Sequence, residues 1–95
     1  MSAYLIGQIQ VTDLEQYKEY MKASPGVNEK FGGRFIVRGG ERVTLEGPEE
    51  GRRIVVIEFP SLDQVKAFFQ SPEYAEIKKL REGAAIASFV AVEGV

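Results

Sequence analysis

The stretch Arg52–Tyr74, RRIVVIEFPSLDQVKAFFQSPEY, decides how this chain folds. Ile54 to Phe59 is almost wholly apolar and rich in β-branched residues, which is the composition of a strand covered on both faces. Pro60 ends the strand because it has no N–H to give to a ladder. Ser61 is suited to cap a helix. Leu62, Val65, Phe68 and Phe69 then recur at helical spacing, so that helix has one apolar face. After Gln70, Ser71-Pro72-Glu73 restarts a helix with a capping serine, a proline at the first helical position and an acid in the first turn. Tyr74, Ile77 and Leu80 continue the apolar stripe up to a stop at Gly83.

Side chains alternate along a strand. Val55, Ile57 and Phe59 share one face with Arg53, and this apolar set should meet the helices. Ile54, Val56 and Glu58 share the other face with Arg52. Glu58 is therefore an acid set into an apolar run and turned away from the helices.

Outward from this stretch, Ala3–Val11 alternates and reads as a first strand, with Leu5, Gly7 and Ile9 on one face and Tyr4, Ile6, Gln8 and Gln10 on the other. Thr12-Asp13-Leu14-Glu15 has the form of a capping box that opens a helix. Leu14, Tyr17, Tyr20 and Met21 form its buried side. Ser24-Pro25-Gly26 should interrupt that helix, since an interior proline breaks the hydrogen-bond ladder, and Gly32-Gly33 should end its last turn. Arg34–Arg38 is a second strand with Phe35 and Val37 on one face and Arg34, Ile36 and Arg38 on the other. Gly39-Gly40 invites a bend, Arg42–Glu46 alternates as a continuation, and Gly47 to Gly51 makes a hairpin tip. Ala85–Glu93 is the last strand.

The order β-α-β-β-α-β in a single domain over residues 1–95 predicts an α+β, ferredoxin-like sandwich with both helices on one face of a four-stranded antiparallel sheet. The other face then carries Ile6, Ile36, Ile54, Val56, Val90 and Val92 among a few polar residues, Ser88 included. That is too apolar to stay in water. A second copy packed sheet against sheet would cover it, which predicts a homodimer.

Composition excludes several classes of function. The 95 residues carry a net charge of −2, so there is no basic field for a nucleic-acid backbone. The chain has no cysteine and no histidine, which removes thiolate chemistry and the commonest general base and metal or haem ligand. No metal and no cofactor are expected. MSAYLIGQIQV is too short and too polar for a signal or a membrane span, so the expected setting is cytoplasmic and away from membranes.

AYLIGQIQVTDLEQYKEY, FGGRFIVRGG, LEG, VVIEFPS and SPEY together resemble domain-of-unknown-function family 1330, within the dimeric α/β-barrel superfamily. The resemblance spans nearly the whole chain and implies ferredoxin-fold protomers whose sheets close a barrel across a dimer. It implies no settled reaction. Other branches of that superfamily include small oxygenases, muconolactone-isomerase-like and chlorite-dismutase-like proteins, and stress-responsive proteins.

The sharpest group of candidate residues is Arg34, Arg38 and Glu58 on the bare face. Two readings stand side by side. In one, an arginine holds a small anionic or aromatic metabolite and Glu58 is the catalytic acid or base, in cofactor-free acid/base or oxygenase-type chemistry. In the other, these charges form ion pairs that fix register in a non-catalytic structural or stress-related dimer. Tyr4 and Gln8 could add polar contacts, and Tyr17 could border a pocket mouth. Arg38-Gly39-Gly40 suits a bulge better than an anion-binding nest. Glu46, Glu49 and Glu50 read as a solvated loop, and Lys78, Lys79 and Arg81 as charges that complement a helix end. A one-residue slip in register would exchange the two faces of a strand.

Overall fold

β1 (Ala3–Val11) runs antiparallel between β3 (Arg53–Phe59) and β4 (Ala85–Glu93), and β2 (Arg34–Arg38) pairs with the outer edge of β3. The sheet order is β2-β3-β1-β4 in this computed structural model, which describes all of residues 1–95. α1 (Leu14–Lys30) follows β1. α2 (Leu62–Phe69), α3 (Pro72–Lys78) and a 3-10 turn (Lys79–Arg81) connect β3 to β4. All the helices lie on one face, and the shortest dimension of the molecule is 17 Å, so the fold is two layers with one sheet face uncovered.

The caps follow local chemistry. The Ser61 and Ser71 hydroxyls accept from Gln64 N–H and Tyr74 N–H at 3.1 and 3.0 Å, and Pro72 sits in the first turn of α3. At α1 the cap is Asp13, one residue later than the box centred on Thr12, because the N–H groups of Thr12 and Asp13 both donate to the Ala84 carbonyl. The core follows strand parity. Ala3, Leu5, Ile9, Val55, Ile57 and Phe59 are buried against Tyr17, Tyr20, Val65, Phe68, Tyr74 and Ile77 from the helices. Gly7 lies on that same face, and a Cβ there would meet the Phe89 ring at 2.5 Å, so its bareness lets Phe89 lie across the sheet. Leu14, expected on the buried side of α1, is largely exposed, and Ser24 and Asn28 are buried instead.

Two larger differences from the sequence expectation shape the site. First, α1 is not interrupted at Pro25. Proline leaves the carbonyl four residues before it without its helical donor, and that carbonyl, Met21 O, accepts from Nη2 of Arg38 instead. A side chain thirteen residues downstream of Pro25 thus mends the ladder. Second, β2 carries a bulge. Phe35 faces Ile57 and Val37 faces Val56, so Ile36 is the extra residue. Beyond it the faces exchange: Val37 joins the bare face and Arg38, opposite Val55, turns to the helix side. β2 then stops at Arg38, and Gly39 to Arg52 runs as an irregular loop in which Val43 and Leu45 are exposed. Arg42–Glu46 does not continue the strand.

Candidate functional site

The bulge divides the predicted site residues into two sets on opposite faces of the sheet. Arg34, Glu58 and Tyr4 meet on the bare face because Glu58 stands opposite both of the others in the ladder. Arg34 reaches Glu58 Oε1 through Nε at 2.9 Å and Nη2 at 2.8 Å, and the Tyr4 hydroxyl donates to Oε2 at 3.3 Å. Both carboxylate oxygens are therefore engaged. Gln8 belongs to a second bare-face cluster, where its amide donates to Glu50 Oε2 at 3.3 Å. Arg52 grips the same carboxylate through Nε and Nη2 and approaches Ser88 Oγ at 3.5 Å. Hydrogen bonds from the Arg52 side chain, and then from its backbone N–H, hold the Glu50 carboxyl down at about 2. Between the clusters lie Ile36, Val37 and Val90, with Val92 beside Tyr4, all exposed, so this face is apolar with a closed ion pair toward each end.

Arg38 and Tyr17 sit on the other side, in a cleft between α1 and the sheet. An inner slot of about 20 Å³ is lined by Tyr17, Tyr20, Ser24, Phe35, Phe89 and their neighbours, which is room for about one water-sized group. The slot opens into a mouth of about 380 Å³ lined by Lys18, Met21, Lys22, Arg38 and Arg53. Met21, Arg38 and Arg53 belong to both. No acidic residue lines either part. The guanidinium of Arg38 also lies 4.4 Å from the Phe35 ring centre.

Arg53 comes from the helix-facing side of β3, opposite Ile9, and its Nε is buried without a hydrogen-bond partner. Gly39 lies directly against its guanidinium. A Cβ at residue 39 would fall on Arg53 Nη1, and φ is +69° there, so glycine is required on both counts. Arg81 stands behind the slot, only 8% exposed, with its guanidinium over the Tyr20 and Phe89 rings at 5.5 and 5.3 Å. Its Nε is likewise unpartnered. None of the chain's five ion pairs involves Arg38, Arg53 or Arg81. Burial pushes the Tyr17 hydroxyl up, with Arg53 and Arg81 pulling it partly back, and burial pushes the Tyr20 hydroxyl up further. Both phenols are neutral donors at ordinary pH.

Sequence reasoning used neither Arg53 nor Arg81. The signal for Arg53 was available, since it is a charge at a helix-facing parity. Arg81 had been read as a complement to a helix end, and only the packed structure shows it buried. No group of three carboxylates converges to hold a metal ion.

The profile of a family described as Domain of unknown function (DUF1330) matches residues 2–95. The chain belongs to the DUF1330 family. Solved structures place this DUF1330 chain among ferredoxin-like proteins. A protein of unknown function from Rhodopseudomonas palustris, RPA0582, superposes with a TM-score of 0.79 at 21% identity, over 99% of this chain and 82% of that one. A dimeric ferredoxin-like protein of unknown function from Jannaschia sp. CCS1 gives 0.77 at 13% identity, over 99% and 100%. SnoaB, a cofactor-independent oxygenase from Streptomyces nogalater, gives 0.71 at 6% identity, over 99% and 93%. At these identities the likeness is one of fold. No curated protein matches the sequence. No helix is long and apolar enough to cross a membrane.

Proposed function

We propose that this DUF1330 chain is a homodimer that binds a small anionic metabolite at the mouth of the cleft between α1 and the sheet. The observation that carries the reading is the pair Arg38 and Arg53 lining one cleft, with Arg81 buried behind its Tyr20 and Phe89 walls and no carboxylate in the lining. The buried Nε of Arg53 has no acceptor within the chain, which is costly, and an anionic ligand beside the exposed Arg38 would supply one. Arg53 and Arg38 are the orienting residues, with Tyr17 at the slot wall. Chemistry there would be of the cofactor-free acid–base or oxygenase type, SnoaB being described as a cofactor-independent oxygenase, with the tyrosine hydroxyls as hydrogen-bond donors.

A second reading has its own observation. Glu58, expected as the catalytic acid or base, is engaged at both oxygens by Arg34 and Tyr4, on the face away from the cleft. Such a closed triad suits an assembly role, with the bare face packed against a second copy, as the dimeric neighbours suggest. Glu58 then helps fix the dimer and takes no part in ligand chemistry.

Native mass spectrometry of undialysed protein, followed by calorimetric titration with benzoate, tests both parts. The expected result is a dimer that binds benzoate, with Arg53→Met weakening the affinity at least about tenfold while the dimer persists. A clean monomer at micromolar concentration would sink the face-to-face dimer. Benzoate binding that ignores Arg53→Met, or fails altogether, would sink the cleft.

A further inference from the structure

The slot behind the mouth contains a second feature, built from Arg81, Tyr74 and Tyr20. Arginine carries only donors. Arg81 Nη2 lies 3.3 Å from the Tyr74 hydroxyl oxygen, so Tyr74 is the acceptor in that contact. The Tyr74 and Tyr20 hydroxyls are 2.8 Å apart, and either could donate to the other. The surroundings choose between the two directions. Tyr74 is 1% exposed and packed among the rings of Phe68, Phe69 and Tyr20. If Tyr20 donated to Tyr74, the Tyr74 proton would have no acceptor in that apolar packing. If Tyr74 donates to Tyr20, no proton is stranded there, because the remaining Tyr20 proton belongs to a residue that lines the slot. The second direction is therefore the one in which every proton gains a partner once a ligand oxygen occupies the slot. The chain then runs from Arg81 to Tyr74 to Tyr20 and ends as an unspent O–H donor at the slot. Successive links polarise one another, and the Arg81 charge at the far end strengthens the last donor.

We infer that the Tyr20 hydroxyl is a ligand-binding donor, and that the slot takes a second oxygen of the ligand, a keto or enolate oxygen on a small carboxylic acid. The inference rests on the cleft reading above and adds the ligand class. The slot has room for one oxygen-sized group, while the four cationic side chains at the mouth meet the carboxylate. An oxo-acid fits the pair of compartments better than a plain acid, because a plain acid leaves the Tyr20 donor facing empty space.

Calorimetric titration with matched acids tests this. The probes are pyruvate against propionate, levulinate against pentanoate, and 4-acetylbenzoate against 4-ethylbenzoate, which vary the distance between carboxylate and ketone. For the pair of the right length, the wild-type protein should bind the oxo-acid about tenfold tighter than its partner, the effect of one well-placed donor. Tyr20→Phe should erase that preference, the oxo-acid losing about tenfold in affinity relative to its plain partner. Tyr74→Phe should reduce the preference in part, because Tyr20 then donates without the charge behind it. If the plain acids bind in an Arg53-dependent way but no pair shows a preference, or if Tyr20→Phe retains it, the Tyr20 assignment is overturned and the cleft reading stands. If no carboxylate binds, both fall. Should Tyr20→Phe not fold, Tyr74→Phe decides, and an undiminished preference in that variant overturns the polarised chain.

Discussion

Arg34 and Arg38 are four residues apart on one short strand, yet they live in opposite electrostatic worlds. Arg34 meets a carboxylate whose oxygens are both engaged, on a face that is otherwise apolar and exposed. Arg38 meets a helix carbonyl and an aromatic ring, beside Arg53 and no acid. The first setting is electrostatically complete and asks only for a surface to cover it. The second is incomplete and asks for an anion. One extra residue at Ile36 produces the whole difference, because it turns the strand over between the two arginines.

The comparison can be strained most severely by attacking the two faces rather than the two arginines. Phe68→Ala empties the middle of the aromatic core and should lower the unfolding free energy by about 4 kcal/mol in a denaturant titration. Val90→Lys on the bare face should cost the protomer little, since surface changes stay within about 0.5 kcal/mol, but should shift sedimentation toward monomer. Equal losses for both in the protomer would mean the bare face is not bare.

Arg38 comes next. Arg38→Met strands the Met21 carbonyl and should cost about 1 kcal/mol. In a Pro25→Ala background the alanine N–H restores the helical donor, so the same change should cost much less. A double-mutant cycle reads this coupling directly, and additivity would refute the link between Pro25 and Arg38.

Glu58→Gln should have a smaller effect, below about 1 kcal/mol, because Arg34 is well exposed and its pair is screened. Benzoate affinity should not change. A fall in affinity at least as large as that of Arg53→Met would return Glu58 to the binding site.

The smallest expected effect is one of pH. The folded-state value of Glu50 is lowered to about 2, so its contacts to Arg52 and Gln8 are fully present above the ordinary carboxylate range. Their contribution is lost as pH falls through that range toward about 2. The Gln8 side-chain amide signals in an NMR titration should therefore hold steady to well below the usual carboxylate midpoint. Movement at the ordinary midpoint would show that Arg52 does not grip Glu50 in solution.

Most of the fold was legible from local rules. The period-2 alternation of β1, β3 and β4 assigned the buried face, and the serines before α2 and α3 act as caps where expected. What escaped was tertiary. RFIVR contains no glycine or proline to mark a bulge, so strict alternation sent Arg38 to the wrong face. Pro25 carries a real local penalty, but a guanidinium from another strand offsets it. For the site, Tyr17 and Arg38 do come together, though not with Glu58, Arg34, Tyr4 and Gln8. Arg81 could not be found by spacing, because its burial depends on how α3 meets α1 and β4. The fold class rested on the order of the elements and the homodimer expectation on the composition of a whole face, and a single slip in a short edge strand alters neither.

The bond from Arg38 to the Met21 carbonyl has a further consequence. The guanidinium that stands at the mouth of the cleft is also the missing rung of a helix, so an anion at the mouth would compete with a carbonyl in α1 for the same donor. Drawing Arg38 outward would leave α1 jointed at Pro25, and slackening α1 there would in turn release Arg38 toward an arriving anion. Occupancy of the cleft and stiffness of the helix would thereby be two readings of a single contact, with amide exchange along residues 26–30 as the gauge.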